Sequence, residues 1–266
     1  MSKNIILCCD GTTNEIATES TNVLRFYRCL VRNDSLIVYY DCGVGVISNT
    51  DRISQRGRRL SRTLDSAMGH SIREHVVEAY RFLVKYYEPG DQIYLVGFSR
   101  GPYAARGIAG MIYFLGLLRP ELEHLAEMAW SVYSGENIDH TISMRFQGGN
   151  RFKKCFCINE KVMIHFVGVW DTVSSFGWIN DLRTLPHTAN NSQIKHIRHA
   201  VAIDEHRAMF RVNHFRPESN HQHETIKEVW FSGCHCDVGG GYPEVTGALS
   251  KISLEWMLRE GESCGL

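Results

Sequence analysis

Gly97-Phe98-Ser99-Arg100-Gly101 is the segment of this sequence richest in chemical content. A serine between two glycines, with the apolar run Ile93–Val96 before it and a helix-compatible stretch after it, has the form of a nucleophile elbow. Such a strained strand-to-helix turn exposes the serine Oγ and needs small neighbours so that backbone and helix can pack closely. A serine hydroxyl is a weak nucleophile at neutral pH. The elbow therefore predicts a histidine that takes its proton and an acid that fixes the imidazole tautomer and stabilises its charged form. In hydrolases of this build the three occur in the order serine, acid, histidine. Thirteen histidines leave the base open by count, so position must choose. His235 lies just past the late apolar run Val229–Ser232 and before a glycine-rich turn, where a base belongs. His165 sits inside a strand-like run, and His196, His199 and His206 fall on or beside a stretch with helical spacing. His214, His221 and His223 lie in a polar stretch. For the acid, Asp171 closes the apolar run Met163–Val169 and stands between Ser99 and His235 in the chain. Asp204 and Asp237 compete, Asp237 being better suited to bonding turn amides. The oxyanion of the tetrahedral intermediate needs backbone N–H donors, one from Arg100 after the nucleophile and one from an early strand-end loop. Asp10-Gly11-Thr12 is the candidate for the second, with Gly11 and Thr12 as donors, although the same residues also read as a plain βα turn.

These groups need a scaffold that delivers them from distant points in the chain. Continuous apolar runs stopped by polar turns predict buried strands at Ile5–Cys9, Leu36–Tyr40, Ile93–Val96, Met163–Val169 and Glu228–Ser232. Helical spacing predicts helices over Ser71–Tyr87, Pro102–Leu118, Glu121–Tyr133, Ile194–Ile203 and Leu249–Leu258, with Ser134–Asn159 loop-rich. Strands alternating with helices imply an α/β fold of α/β-hydrolase type. The sheet is mostly parallel with helices on both faces, and the reactive groups lie beyond the strands' C-terminal ends.

Composition narrows the function further. Across 266 residues, 29 Lys+Arg balance 29 Asp+Glu, so no global charge draws the protein to nucleic acid or to an anionic membrane. Six prolines and no Gly/Ser-rich stretch imply one domain over residues 1–266 without a linker. Nine scattered cysteines in a chain too large to need staples suggest reduced thiols and a cytoplasmic protein as synthesised. The N-terminal apolar run is too short for a signal-peptide core. The longest apolar stretch, Gly101–Leu118, is broken by Arg106, so a buried helix is expected there rather than a membrane span. Arg100 and Arg106 on the nucleophile helix could hold a lipid phosphate. An ion pair with an acid such as Asp65 or one near Asp171 is preferred for them, since a charge beside a core is usually paired. His221-x-His223, Cys155-x-Cys157 and Cys234-His235-Cys236 carry metal-ligand types. Cys-x-Cys is tighter than finger spacing, so no metal is expected, and no organic cofactor is implied.

CCDGTTNE, YEPGDQIYLVGFSRGPYAARGIAGMI, GVWDTV, AIDEHR, VWFSGCHCDVGGGY and SLEWML follow one another from Asp10 to Leu258. In these motifs the chain resembles the α/β-hydrolase domain of the type VI secretion lipase effectors, first family, and its uncharacterised relatives. The resemblance implies a nucleophile at Ser99, an acid at Asp171 and a histidine at His235. It also implies a carboxylic ester substrate, a phospholipid in the characterised members, and for an effector a secretion or immunity partner with export by a route that uses no signal peptide. Cys234 and Cys236 flanking His235, and MGHSI at 68–72 in place of a more glycine-rich stretch, depart from the pattern. Larger members carry a further C-terminal region linked to membrane contact, which this chain is expected to lack. A lid would then come from Ser134–Asn159 or Trp178–Asn191. Two alternatives stay open: an esterase or thioesterase acting on a soluble substrate, and a silent hydrolase scaffold that binds a ligand or partner.

Overall fold

The structure, a computed structural model, describes residues 2–11, 20–43, 60–135, 142–172, 185–207, 212–216 and 224–266, with side chains from 72 and from 146 onward in the two helices that open at 60 and 142. Six strands form one sheet: β1 (Asn4–Cys9), β2 (Leu36–Asp41), β3 (Gln92–Phe98), β4 (Ile164–Trp170), β5 (Ile194–Ala202) and β6 (Thr225–Phe231). Their order is β2-β1-β3-β4-β5-β6, and every pairing is parallel. Both sheet faces are covered, so the central strands are apolar on both sides. Ile5, Leu7 and Cys9 point into one core layer, while Ile6 and Cys8 point into the other. Helices α2 (Leu60–Tyr86), α3 (Gly101–Leu115), α4 (Ala126–Ser134) and α5 (Ile142–Phe156) contribute to the first layer. Helices α1 (Asn22–Cys29), α6 (His235–Gly239) and α7 (Ser250–Ser263) contribute to the second. This is the expected α/β-hydrolase-like arrangement. Among the described residues no helix is long and apolar enough to cross a membrane.

Two expectations fail. The stretch predicted as a helix over Ile194–Ile203 is β5, a strand paired on both sides. Ile194, Ile197, Ala200 and Val201 happen to fit helical spacing, but a strand buried on both faces places no polar–apolar alternation on the sequence, so periodicity misleads there. The supposedly loop-rich Ser134–Asn159 contains α5. Its Gly148 and Gly149 disguise the helix, and a Cβ on Gly149 would stand 2.7 Å from the Phe114 ring, so that glycine lets α5 approach α3.

The chain turns from β1 outward to β2, then crosses back to place β3 on the other side of β1. Loops that leave β1 and β3 in opposite directions open a crevice between them, where open α/β sheets bind ligands. Gly11 and Ser99 meet there: a Cβ on Gly11 would lie 3.1 Å from Ser99 Cβ. The elbow itself depends on close backbone contact. A Cβ on Gly101 would stand 1.8 Å from the Cys9 carbonyl oxygen, and one on Gly97 would stand 2.6 Å from Pro102 N. The first obstacle is buried backbone at the end of β1 and cannot rotate away. Gly101→Ala is therefore expected to destabilise the protein by more than ~4 kcal/mol and to abolish soluble expression. A thermal midpoint within a few degrees of wild type would contradict this packing.

Candidate active site

Ser99 sits at the end of β3 with φ +62°, a left-handed conformation uncommon for a non-glycine residue and characteristic of strained functional turns. Arg100 caps α3, so its amide belongs to the first turn, where N–H groups have no partner within the helix. Pro102, the second helical residue, suits this first turn because its missing donor costs nothing there.

Asp171 follows β4 and is the second left-handed residue of the site, with φ +40°. Its amide donates to the Ala200 carbonyl at 2.7 Å, and its Oδ1 accepts the Ala202 amide at 3.0 Å. The remaining oxygen, Oδ2, meets His235 Nδ1 at 2.6 Å, with both side chains almost wholly buried. A carboxylate held this way on Nδ1 keeps the proton on that nitrogen and leaves Nε2 as the basic one. The His235 ring packs on Phe98, centroids 4.6 Å apart, which brings the imidazole against the residue preceding Ser99. Helix α6 is pressed onto the same phenylalanine, since a Cβ on Gly239 would overlap its ring. Serine, acid and histidine thus come from the ends of β3 and β4 and from the turn after β6, in the expected chain order.

The histidine loop is braced from β5. Asp204 accepts the Gly233 amide at 2.8 Å and Glu205 accepts the His235 amide at 3.3 Å. Bonds from Arg207 hold the Glu205 carboxyl down at about 2, so it stays charged. Asp237 accepts the Cys234 amide at 3.0 Å and the Cys234 thiol at 3.3 Å. The expected turn-bonding role of Asp237 applies, although the amide it takes lies upstream of it.

The oxyanion expectation needs correction at Gly11. Its amide donates to Asp10 Oδ1 at 2.7 Å and is therefore engaged, while Thr12 lies outside the described residues. Asp10 Oδ2 accepts from Thr21 Oγ1 at 2.6 Å and from Tyr40 OH at 2.7 Å. Burial raises the Asp10 carboxyl pKa against these three bonds, which favour the charged form. The sequence reading treated Asp10 as part of a turn; the structure makes it the brace of the loop facing Ser99.

Arg106 is buried, and among the described residues backbone carbonyls hold it. Asp65's side chain is outside the described residues. The guanidinium donates to the carbonyls of Thr188 (2.7 Å), Asn213 (2.5 Å) and His214 (3.3 Å) and lies 3.9 Å over the Phe215 ring. Burial lowers its pKa to about 9. It ties the 185–191 and 213–215 segments to the nucleophile helix, so it is structural and does not hold a phosphate. Arg106→Met would leave three carbonyls without their donor and is expected to cost about 3–5 kcal/mol in denaturant unfolding while substrate preference stays unchanged. A loss below ~1 kcal/mol would refute that role. The C-terminal part of one candidate lid, 185–191, is likewise packed down, with the Leu185 amide on Tyr103 OH and Asn191 Nδ2 on the Ala109 carbonyl.

Of the suspected metal-ligand residues, His221 and His223 lie outside the described residues, and His235 Nδ1 is committed to Asp171. Among the described residues the ligand types that converge are His199, His214 and Glu228.

The chain matches the model of the type VI secretion phospholipase effector Tle1-like catalytic domain over residues 3–260. It belongs to that family. An uncharacterized protein of Saccharomyces cerevisiae, YEL023C, is 40% identical over 225 residues, covering 81% of this chain and 33% of the yeast protein, so the chain spans about a third of that relative's length. Among solved structures, an uncharacterized protein from Pseudomonas aeruginosa shares the fold with a TM-score of 0.53 and 18% identity, over 99% of this chain and 46% of that one. A more distant likeness, TM-score 0.46 and 19% identity over 93% of this chain and 52% of the other, is to the Tle1 effector bound to the VgrG spike of the type 6 secretion system.

Proposed function

We propose that this Tle1-like domain is a serine hydrolase that cleaves carboxylic esters, of phospholipase type, through an acyl-enzyme. Ser99 Oγ attacks the ester carbonyl as His235 takes its proton. The Arg100 amide steadies the oxyanion, the protonated His235 returns its proton to the leaving alcohol, and His235 then activates the water that frees the acid. Asp171 stays ionised and orients the imidazole. The observation that carries the reading is the buried 2.6 Å contact between Asp171 Oδ2 and His235 Nδ1, with the ring packed against the elbow residue Phe98. A lipid ester is supported by family membership and by exposed apolar side chains downstream of the histidine. Tyr242, whose hydroxyl meets Cys234 Sγ at 3.4 Å, is followed by Val245, Leu249 and Ile252. The family description, a type VI secretion effector, brings a secretion partner into the same proposal.

A fluorophosphonate probe is expected to label the wild type at Ser99. Phospholipid vesicles incubated with the protein should release fatty acid and lysolipid by mass spectrometry. Absence of labelling removes the hydrolase reading; labelling without lipid cleavage shifts the substrate to a soluble ester or thioester.

A further inference from the structure

Strands β5 and β6 carry a second carboxylate–imidazole pair, outside the proposed proton path. His199 on β5 has no solvent exposure and is paired in register with Glu228 on β6; His199 Nδ1 meets Glu228 Oε1 at 2.7 Å. The opposite ring nitrogen, Nε2, accepts the backbone N–H of Thr172 at 3.2 Å. A backbone N–H can only donate, so Nε2 carries a lone pair and the ring proton must sit on Nδ1, facing Glu228. Burial favours the neutral ring, and His199, Phe215 and His214 supply donors that outweigh burial and keep Glu228 charged. The same tautomer argues against a metal at His199, His214 and Glu228, because the His199 nitrogen facing that cluster holds a proton.

Thr172 directly follows Asp171, whose positive φ aims the carboxylate at His235. Its amide belongs to the peptide unit that closes this left-handed turn, and in a buried turn that amide must have an acceptor. Among the described residues no backbone carbonyl fills that role; the His199 side chain does. We propose that His199 is a positioning residue for the reaction: its Nε2 lone pair, its tautomer set by Glu228, holds the Thr172 amide and so fixes the turn from which Asp171 meets His235. This rests on the serine-hydrolase reading above.

Asparagine and glutamine separate the two ends of the imidazole. Asn Nδ2 stands near the Nδ1 position and keeps a donor for Glu228, but nothing reaches Thr172. Gln Oε1 reaches the Nε2 position and restores the acceptor. His199→Asn is expected to lower kcat about 10- to 100-fold with KM within twofold of wild type, as a displaced catalytic group does. His199→Gln should recover most of that loss at similar thermal stability. A readout independent of turnover is the low-field proton resonance of the short His235 Nδ1–H···Asp171 bond, assigned by its disappearance in His235→Gln. It should weaken or move in His199→Asn and return in His199→Gln. Glu228→Gln, which keeps an acceptor for His199 but removes its charge, should show a smaller fall in kcat with the same unchanged KM; it decides the matter if His199→Asn does not fold. Wild-type kcat and an unmoved His235 resonance in the folded variants would overturn the positioning role. Failure of the wild type to be labelled at Ser99 would instead remove the hydrolase reading, and the proton resonance would still report whether His199 holds Asp171 in place.

Discussion

Replacement of Ser99 by alanine is expected to lower kcat by about 10^6-fold while leaving the fold intact. The loss is that large because the base and acid have nothing to act on without the hydroxyl. What survives is the oxyanion donor and substrate binding, which by themselves retain only a modest advantage over water. Stability should change little. Ser99 holds its φ of +62° through the packing of Gly97 and Gly101 around it, which the substitution does not touch, and alanine tolerates that conformation about as poorly as serine. Ester turnover and a thermal melt on the same preparation check both halves. Turnover within tenfold of wild type would show that the nucleophile lies elsewhere.

Asp171→Asn is expected to lower kcat about 10^4-fold with little change in stability. The direction follows from the environment of the two carboxylate oxygens. Oδ1 accepts the Ala202 amide, so the oxygen of the introduced carboxamide is held in that position. Its NH2 then faces His235 Nδ1, which must become an acceptor. The ring proton moves to Nε2, and the nitrogen that should take the Ser99 proton no longer can. Glutamate at the same position would keep the charge but overfill a buried site, so the asparagine variant is the cleaner measurement. Wild-type kcat in Asp171→Asn would mean that the 2.6 Å contact is a structural ion pair without a role in turnover.

The elbow was legible because its signal is local. Gly97, Ser99 and Gly101 lie within one turn, and the flanking apolar runs announce the strand and helix that set it. The contact between Asp171 and His235 was legible from chain order and from their places just past buried runs. His199 and Glu228 were not. The helical spacing that hid β5 also made His199 read as an ordinary helix histidine, and nothing in its neighbours Arg198 and Ala200 points toward Thr172. Arg106 shows the same limit. Its burial could be anticipated from the apolar run around it, but not that three carbonyls from two separate segments would surround it.

The sequence by itself determined most of the strands and helices, the strand-to-helix turn at Ser99 and the chain order of the candidate groups, because each is written in short-range spacing and in where apolar runs stop. Tertiary structure alone decided which strands neighbour one another and which buried polar groups complete each other. With the crossing from β2 back past β1 to β3, the Gly11 loop meets Ser99. With β5 between β4 and β6, His199 lies opposite Val169 on one side and Glu228 on the other, and its ring reaches the Thr172 amide in the turn after Asp171. Pairing between strands far apart in the chain depends on the summed burial of whole faces, and no short stretch of residues records that sum.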